Sequence, residues 1–419
     1  MAVNVARESS GADGRGGLLR KVLLAQESGL ILVISLLMLA LTVFGGNKPQ
    51  TERTPLPETA VVTTAKVSDK DETITVTIDG AAQTYASAAG YEYRGGGTGG
   101  TLIHRSEVNK FLNVENLVLQ LVYASFIAVM AVGMTAVIVM GGIDLSVGST
   151  YAIAALFGAI VLHALQANAL GVSGDAAVTS VGGAGLFSSL ALCLAVCCGV
   201  GAICGFVNGT MIVGLKVHPF IITLGTMEAL RGLVAIPTKA QSVGNFPEAL
   251  TKGFFKLSLA GTNPVPPMIM IGTAIVGAHA LARTVLGRRV YAIGGNEVAA
   301  GYAGIPVGRV KVMVYTIMGT LAGLSAAMYL GYFGAAETAA GSGYELKVIA
   351  ATVIGGASLS GGRGTAVGAV LGAILVQLIE NGMLILQIDQ NYNQIVMGGA
   401  IILAVVLDQL KSRMFPQGK

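Results

Sequence analysis

The chain has no tryptophan, only four histidines, and charged residues at only 11% of its 419 positions. A soluble domain carries roughly a quarter charged residues. So few charges cannot cover a water-soluble surface. With 53% hydrophobic residues and a mean hydropathy of +0.72, the chain reads as an integral membrane protein. The histidines are scattered, which leaves a histidine metal cluster without support. The four cysteines, Cys193, Cys197, Cys198 and Cys204, share one apolar segment with no histidine or acid. They read as buried free thiols in a helix rather than as a metal site. Also lacking are a phosphate loop G-x-x-x-x-G-K-[ST], a G-x-S-x-G elbow and an H-E-x-x-H pair. Without a phosphate loop the chain does not hydrolyse ATP by itself, and no cofactor is expected on it. The net charge of +4 is small, and no basic tract calls for nucleic acid.

What the chain has in plenty is glycine, 59 residues, as expected where helices pack closely in lipid or are broken. A span needs about 20 mostly apolar residues. Such segments fall near 28–45, 116–140, 146–167, 186–213, 218–236, 267–286, 310–334, 345–361, 364–388 and 392–410. This predicts an all-α membrane protein, a polytopic helical bundle of about ten spans. Arg7, Arg15, Arg20 and Lys21 precede the first span, and "FGGNKPQ" is a poor cleavage site, so that span is expected to be retained. The basic loops put both termini in the cytoplasm by the positive-inside rule. The expected organisation is a tail 1–27, a span 28–45, an exported insert 46–115, a core 116–413 and a tail 414–419.

The insert is a different material. "ETITVTIDG" alternates and ends in an Asp-Gly turn, a strand signal. "AAQTYASAAGYEYR" offers a partner strand, so a small exported β insert is expected. "GGGTGG" at 95–100 fits G-x-G-x-x-G but no helix follows, so it does not read as a dinucleotide site.

Asp144, in "GGIDLSVGS", is the only charged residue between Glu115 and Asp175. The stretch "GGIDLSVGSTYAIAALFGAIV" from 141 has an echo, "GGASLSGGRGTAVGAVLGAIL" from 355, aligned without a gap. Such similarity between halves marks transporters built from two repeats. Each copy reads as a helix, a break at Gly141-Gly142 or Gly355-Gly356, and a new helix. Asp144 or Ser146 can cap the new helix, and Ser358 is the counterpart of Asp144. An intramembrane acid is also a functional candidate. Cap and pathway roles both stay open for Asp144. "LSGG" at 359–362 belongs to this repeat. The longest basic loop, 283–311, contains "NEVAAGYAG", with Asn296 as N-cap and Gly304 and Pro306 as stops. A short helix there would form a docking knob.

In several stretches the chain resembles the ribose/xylose/galactose-type sugar permeases of binding-protein-dependent ABC importers. They are "FIAVMAVGMTAVIVMGGIDLSVGS", "VHPFIITLGTMEALRGL", "GRRVYAIGGNEVAAGYAGI", "GYELKVIAATVIGGASLSGGRGT" and "YNQIVMGGAIILAVVLD", spread over 111–413. The resemblance implies a dimer of permeases in the bacterial inner membrane. It also implies a cytosolic ABC ATPase that carries ATP and Mg, and an extracytoplasmic solute-binding protein. The docking core it implies is Asn296, Glu297, Ala299, Ala300 and Gly304. Where the family more often has a basic-apolar pair this chain has Gly301-Tyr302, and Lys347 stands where an acid is common. Candidate pathway residues are Asp144, Ser146, Thr223, Thr226, Glu228, Arg231 and Glu345. The expected function is the transmembrane path of an ATP-driven importer of a small polar solute, a monosaccharide by resemblance. An ion-coupled secondary transporter with Asp144 as coupling site is the alternative. A scaffold presenting the insert explains neither the repeat nor the basic loop.

Overall fold

The computed structural model describes residues 26–66, 72–95, 98–170, 185–239, 241–244, 246–247, 249–259 and 262–400, with 402 and 406. Expectations for the termini and their charges lie outside the described residues. Two compact units are present, residues 38–117 and the remainder of the chain.

The larger unit is helical. Its elements are α1 (Gln26–Phe44, shared with the small unit), α2 (Val114–Val139), α3 (Val147–Leu170), α4 (Leu186–Leu215) and α5 (Pro219–Thr238). They continue with α6 (Val265–Arg283), α7 (Val285–Gly295), α8 (Glu297–Tyr302), α9 (Val307–Phe333), α10 (Tyr344–Ile354) and α11 (Ala366–Ile385). Eight helices among the described residues are long and apolar enough to cross a membrane. That is fewer than the ten segments read from hydropathy, for two reasons. The apolar run 345–361 is only an 11-residue helix, α10. At 1.5 Å per residue it rises about 16 Å, half a bilayer core. The last segment is helical over 393–400, and beyond that only 402 and 406 are described.

Helix α2 is apolar all round and almost wholly buried, so it is the centre of the bundle. Lipid offers no hydrophobic drive between helices, so close backbone approach must hold them. The α4–α9 seam is built that way. A Cβ on Gly201 would overlap the Gly319 carbonyl oxygen, and one on Gly323 would overlap that of Cys197. Cys193 and Cys197 are buried free thiols within this packing, and Cys198 and Cys204 are half-buried.

Both repeat copies break in the same way. After α2, Gly141 takes φ +85°. Its N–H bonds Ile138 O at 2.8 Å, and the Gly142 N–H bonds Val137 O at 2.9 Å. After α10, Gly356 takes φ +97°. Its N–H bonds Val353 O at 2.9 Å, and the Ala357 N–H bonds Thr352 O at 3.0 Å. Both are left-handed glycine stops, but the second comes one residue later than the ungapped alignment places it. Gly355 is still helical, with φ −65°. The second copy then runs longer before helix resumes at Ala366, where Thr365 Oγ1 accepts from the Gly368 N–H at 3.0 Å.

The small unit holds more β structure than the two strands read from sequence. Its strands are β1 (Asn47–Pro55), β2 (Val61–Lys66), β3 (Glu72–Ile78), β4 (Ala81–Ala86), β5 (Tyr91–Arg94) and β6 (Thr101–Asn109). They form two antiparallel sheets, ordered β1-β6-β5 and β2-β3-β4. The turn at Asp79-Gly80 has both φ values positive, which suits a tight hairpin. Ala60, Val62, Ile74, Val76 and Leu102 form a small core of their own.

Candidate functional site

The break after α2 is not open backbone. Asp144 is 2% exposed. Its Oδ1 accepts from the Ser146 N–H at 2.9 Å and from Ser146 Oγ at 2.6 Å. Ser146 O accepts the Thr150 N–H at 2.7 Å, so Ser146 is the residue that opens α3. Asp144 therefore supports the cap from two residues upstream. Ser146 Oγ in turn accepts from Asn208 Nδ2 of α4 at 2.8 Å. Asn208 Oδ1 accepts from Thr226 Oγ1 of α5 at 2.7 Å. This chain of polar groups runs Asp144–Ser146–Asn208–Thr226 and ties three helices at the break. Among the described residues no cation pairs with Asp144. Thr223 is buried beside the chain, its hydroxyl bonded to Pro219 O at 3.0 Å and near Ile143 O at 3.4 Å.

Asn208 went unnoticed in the sequence. The signal was available, because it is the lone amide in the apolar α4, and a buried amide in lipid must find partners. Tyr315 of α9 was missed for a different reason: nothing local marks it. Its Oη donates to Ile143 O at 3.3 Å. It also occupies the space a side chain at Gly142 would need, since a Cβ there would lie 2.6 Å from that oxygen. The second glycine of the break is thus required by the tyrosine against it.

The 283–311 loop forms two helices. Thr284 caps α7, accepting from the Gly287 N–H at 3.2 Å. Asn296 caps α8, its Oδ1 accepting from the Ala299 N–H at 2.9 Å. Gly304, φ +81°, ends α8, with Ile305 N–H on Ala300 O at 3.1 Å. Ala300 faces inward, while Val298 is 66% and Tyr302 89% exposed. Two large apolar side chains are thus left bare at the tip of α8. Glu297 Oε1 pairs with Lys311 Nζ of α9 at 2.6 Å. A cavity of about 770 Å³ lies between this pair and the break, lined by Gly141, Gly142, Lys216, His218, Glu297, Lys311 and Tyr315 among others. The opposite wall of the loop is tied to the second repeat. Tyr291 Oη of α7 donates to Gly364 O at 2.6 Å, and the Gly362 N–H bonds Val139 O, at the end of α2, at 2.8 Å.

The remaining candidates lie elsewhere. Arg231 Nη1 donates to Ala340 O at 2.8 Å, holding the loop before α10 rather than pairing with Glu228. Glu228 is exposed on α5. Glu345 is half-buried, and its Oε2 sits against the first turn of α3 at Gly148. Lys347 pairs with Glu380 of α11 at 2.6 Å, so its charge is answered inside the bundle.

A bundle of apolar helices around two repeated breaks, with a capped helical loop at one end, is the architecture of a membrane-embedded transport subunit. Comparison with known families agrees. Residues 116–405 match the family described as "Branched-chain amino acid transport system / permease component", and the chain belongs to it. It is 37% identical over 303 residues to the ribose import permease protein RbsC of Escherichia coli (strain K12), covering 72% of this chain and 88% of that one. It is 39% identical over 308 residues to RbsC of Bacillus subtilis (strain 168), covering 72% and 86%. The autoinducer 2 import system permease protein LsrD of Photorhabdus temperata is 32% identical over 286 residues, covering 67% and 79%. No solved structure matches.

Proposed function

We propose that this chain is the transmembrane pathway subunit of an ATP-driven monosaccharide importer in a bacterial inner membrane. It works by alternating access, coupled to separate ATPase chains that carry ATP and Mg. An extracytoplasmic binding protein delivers the solute. The ribose and allose named for relatives support the solute class.

The observation that carries the mechanism is on α9. Lys311 holds Glu297 of α8, and Tyr315, one turn further on, holds Ile143 at the break. Residues four apart lie on one helix face. A shift of α8, driven by an ATPase seated on Val298 and Tyr302, therefore reaches the Gly141–Asp144 break through a single rigid element. Coupling of this kind needs a two-state element biased from both ends. Here that element is the break, whose polar chain can re-pair as the helices separate.

Helix α5 supplies the face toward a second copy. Glu228 is exposed in mid-helix, and Gly225 and Gly232 on the same side have open space beside them. A bare carboxylate is too costly toward lipid, so this face turns toward water or a partner. The pathway then runs between two copies, along α5.

The test is co-purification and uptake. Tyr302→Asp, with Val298 also changed to Asp, should abolish ATPase capture and uptake while membrane insertion stays normal. Full capture of the ATPase by this variant would remove the docking assignment. Uptake driven by an ion gradient in vesicles without an ATPase would replace this reading by a secondary transporter.

A further inference from the structure

The insert carries a pocket that the transport reading does not use. It lies wholly within the 38–117 unit, has a volume of about 420 Å³, and opens between the two sheets. Strand register builds it. Glu52, His104 and Tyr91 are direct cross-strand partners in a row over β1, β6 and β5. On the other sheet Gln83 and Tyr85, two apart on β4, point to one face. The rings of Tyr91 and His104 stack at 4.2 Å and 16°, and Tyr85 leans on Tyr91 at 4.8 Å and 44°. One wall is therefore a continuous aromatic ridge backed by the small core.

The rim is polar and chemically mixed. Glu52 is exposed, and among the described residues it has no ion-pair partner. Tyr85 Oη donates to Gln83 Oε1 at 2.6 Å, leaving the Gln83 amide N–H groups to donate outward. Thr54 and the His104 ring complete a set with both donors and acceptors. An apolar wall with a few convergent polar groups, at this volume, is the form of a small-molecule site. The ligand must match both sides. A sugar ring does, with a C–H face for the aromatic ridge and hydroxyls that both donate and accept. A quaternary ammonium would need ring faces converging on one point. Here the three rings follow one another in a single row, so they present one side to the pocket rather than faces converging on a point.

We propose that the insert is a monosaccharide-binding site, separate from the membrane path, that gathers sugar at the surface of the protein. It stands on the pocket's own geometry and goes beyond the transport reading. The experiment uses the full-length chain in lipid nanodiscs, without ATPase or binding protein. Saturation-transfer NMR is run with ribose, allose and glucose, and with tetramethylammonium as a cation probe. At least one sugar should show transfer to its ring C–H protons. Glu52→Ala combined with Gln83→Ala should weaken it at least tenfold. Both side chains are exposed, so this variant should keep its melting temperature, and Tyr91→Ala should abolish binding outright. Asp144→Asn, in the membrane path, should leave it unchanged. The proposal is overturned by absence of sugar transfer, by selective binding of tetramethylammonium, or by sugar binding that survives the Glu52/Gln83 variant. Sugar binding lost only with Asp144→Asn would also overturn it, and would instead favour a solute site in the path.

Discussion

Replacing Asp144 by asparagine separates the cap from the charge. In the structure one carboxylate oxygen takes two hydrogen bonds from Ser146, at 2.9 and 2.6 Å. Asparagine presents an equivalent oxygen in nearly the same shape. A hydrogen bond to a charged group contributes about 1.5–3 kcal/mol, against about 0.5–1.5 for a neutral pair. Two weakened bonds therefore cost about 2 kcal/mol together. Against this, placing an acid within a membrane segment costs at most about 2.5–3.5 kcal/mol on insertion scales, and asparagine removes much of that. The terms nearly cancel, so Asp144→Asn should melt close to the wild type. Asp144→Ala leaves the Ser146 N–H and hydroxyl without their acceptor, at about 1–3 kcal/mol each, and should melt clearly lower. Uptake should part from stability. If the charge organises the break, Asp144→Asn loses at least tenfold in sugar uptake, about 1.4 kcal/mol of barrier. The assay is uptake into proteoliposomes with the ATPase and binding protein, with thermal melting as the control. Full uptake by Asp144→Asn would refute the reasoning and reduce Asp144 to a support for the cap.

The Glu297–Lys311 pair is partly exposed, 53% on the glutamate side, so it should add less than about 1 kcal/mol to stability. Glu297→Lys alone should cut uptake by repelling Lys311 without changing melting, and adding Lys311→Glu should restore most of it. Failure of the exchanged pair to recover any uptake would count against transmission through α9. Gly142→Ala should lower melting because the new methyl meets Tyr315 Oη, and Tyr315→Phe in the same chain should recover most of the loss. Equal melting of the single and double variants would rule out that contact as the reason for the glycine. Replacing 50–105 by a Gly/Ser linker should leave the helical unit inserted, since the insert keeps its own core. Degradation of the shortened chain would make the insert a structural part of the bundle.

Membrane residence, the apolar segments, the repeat and the capped helix after Asn296 were legible in the sequence because each is a local property. Hydropathy needs only a window of residues, and a cap such as Asn296 bonds an N–H three positions away. The two glycine stops were also visible, though their register was not. The left-handed turn falls at the first glycine of one pair and the second of the other, so α10 runs one residue past the aligned break. Distance along the chain hid the rest. Asn208 meets Ser146 across 62 residues, and Tyr315 meets Ile143 across 172. No window spans such pairs, and a tyrosine in an apolar helix has no pattern of its own. The half-length of α10 was hidden too, because an apolar run reads alike whether it crosses the bilayer or turns back inside it. In the insert, alternation announced β3, but the row of Glu52, His104 and Tyr91 depends on register between distant strands. A shift of one residue would send those side chains to the opposite face, so only the folded pairing could put the aromatic ridge beside its polar rim.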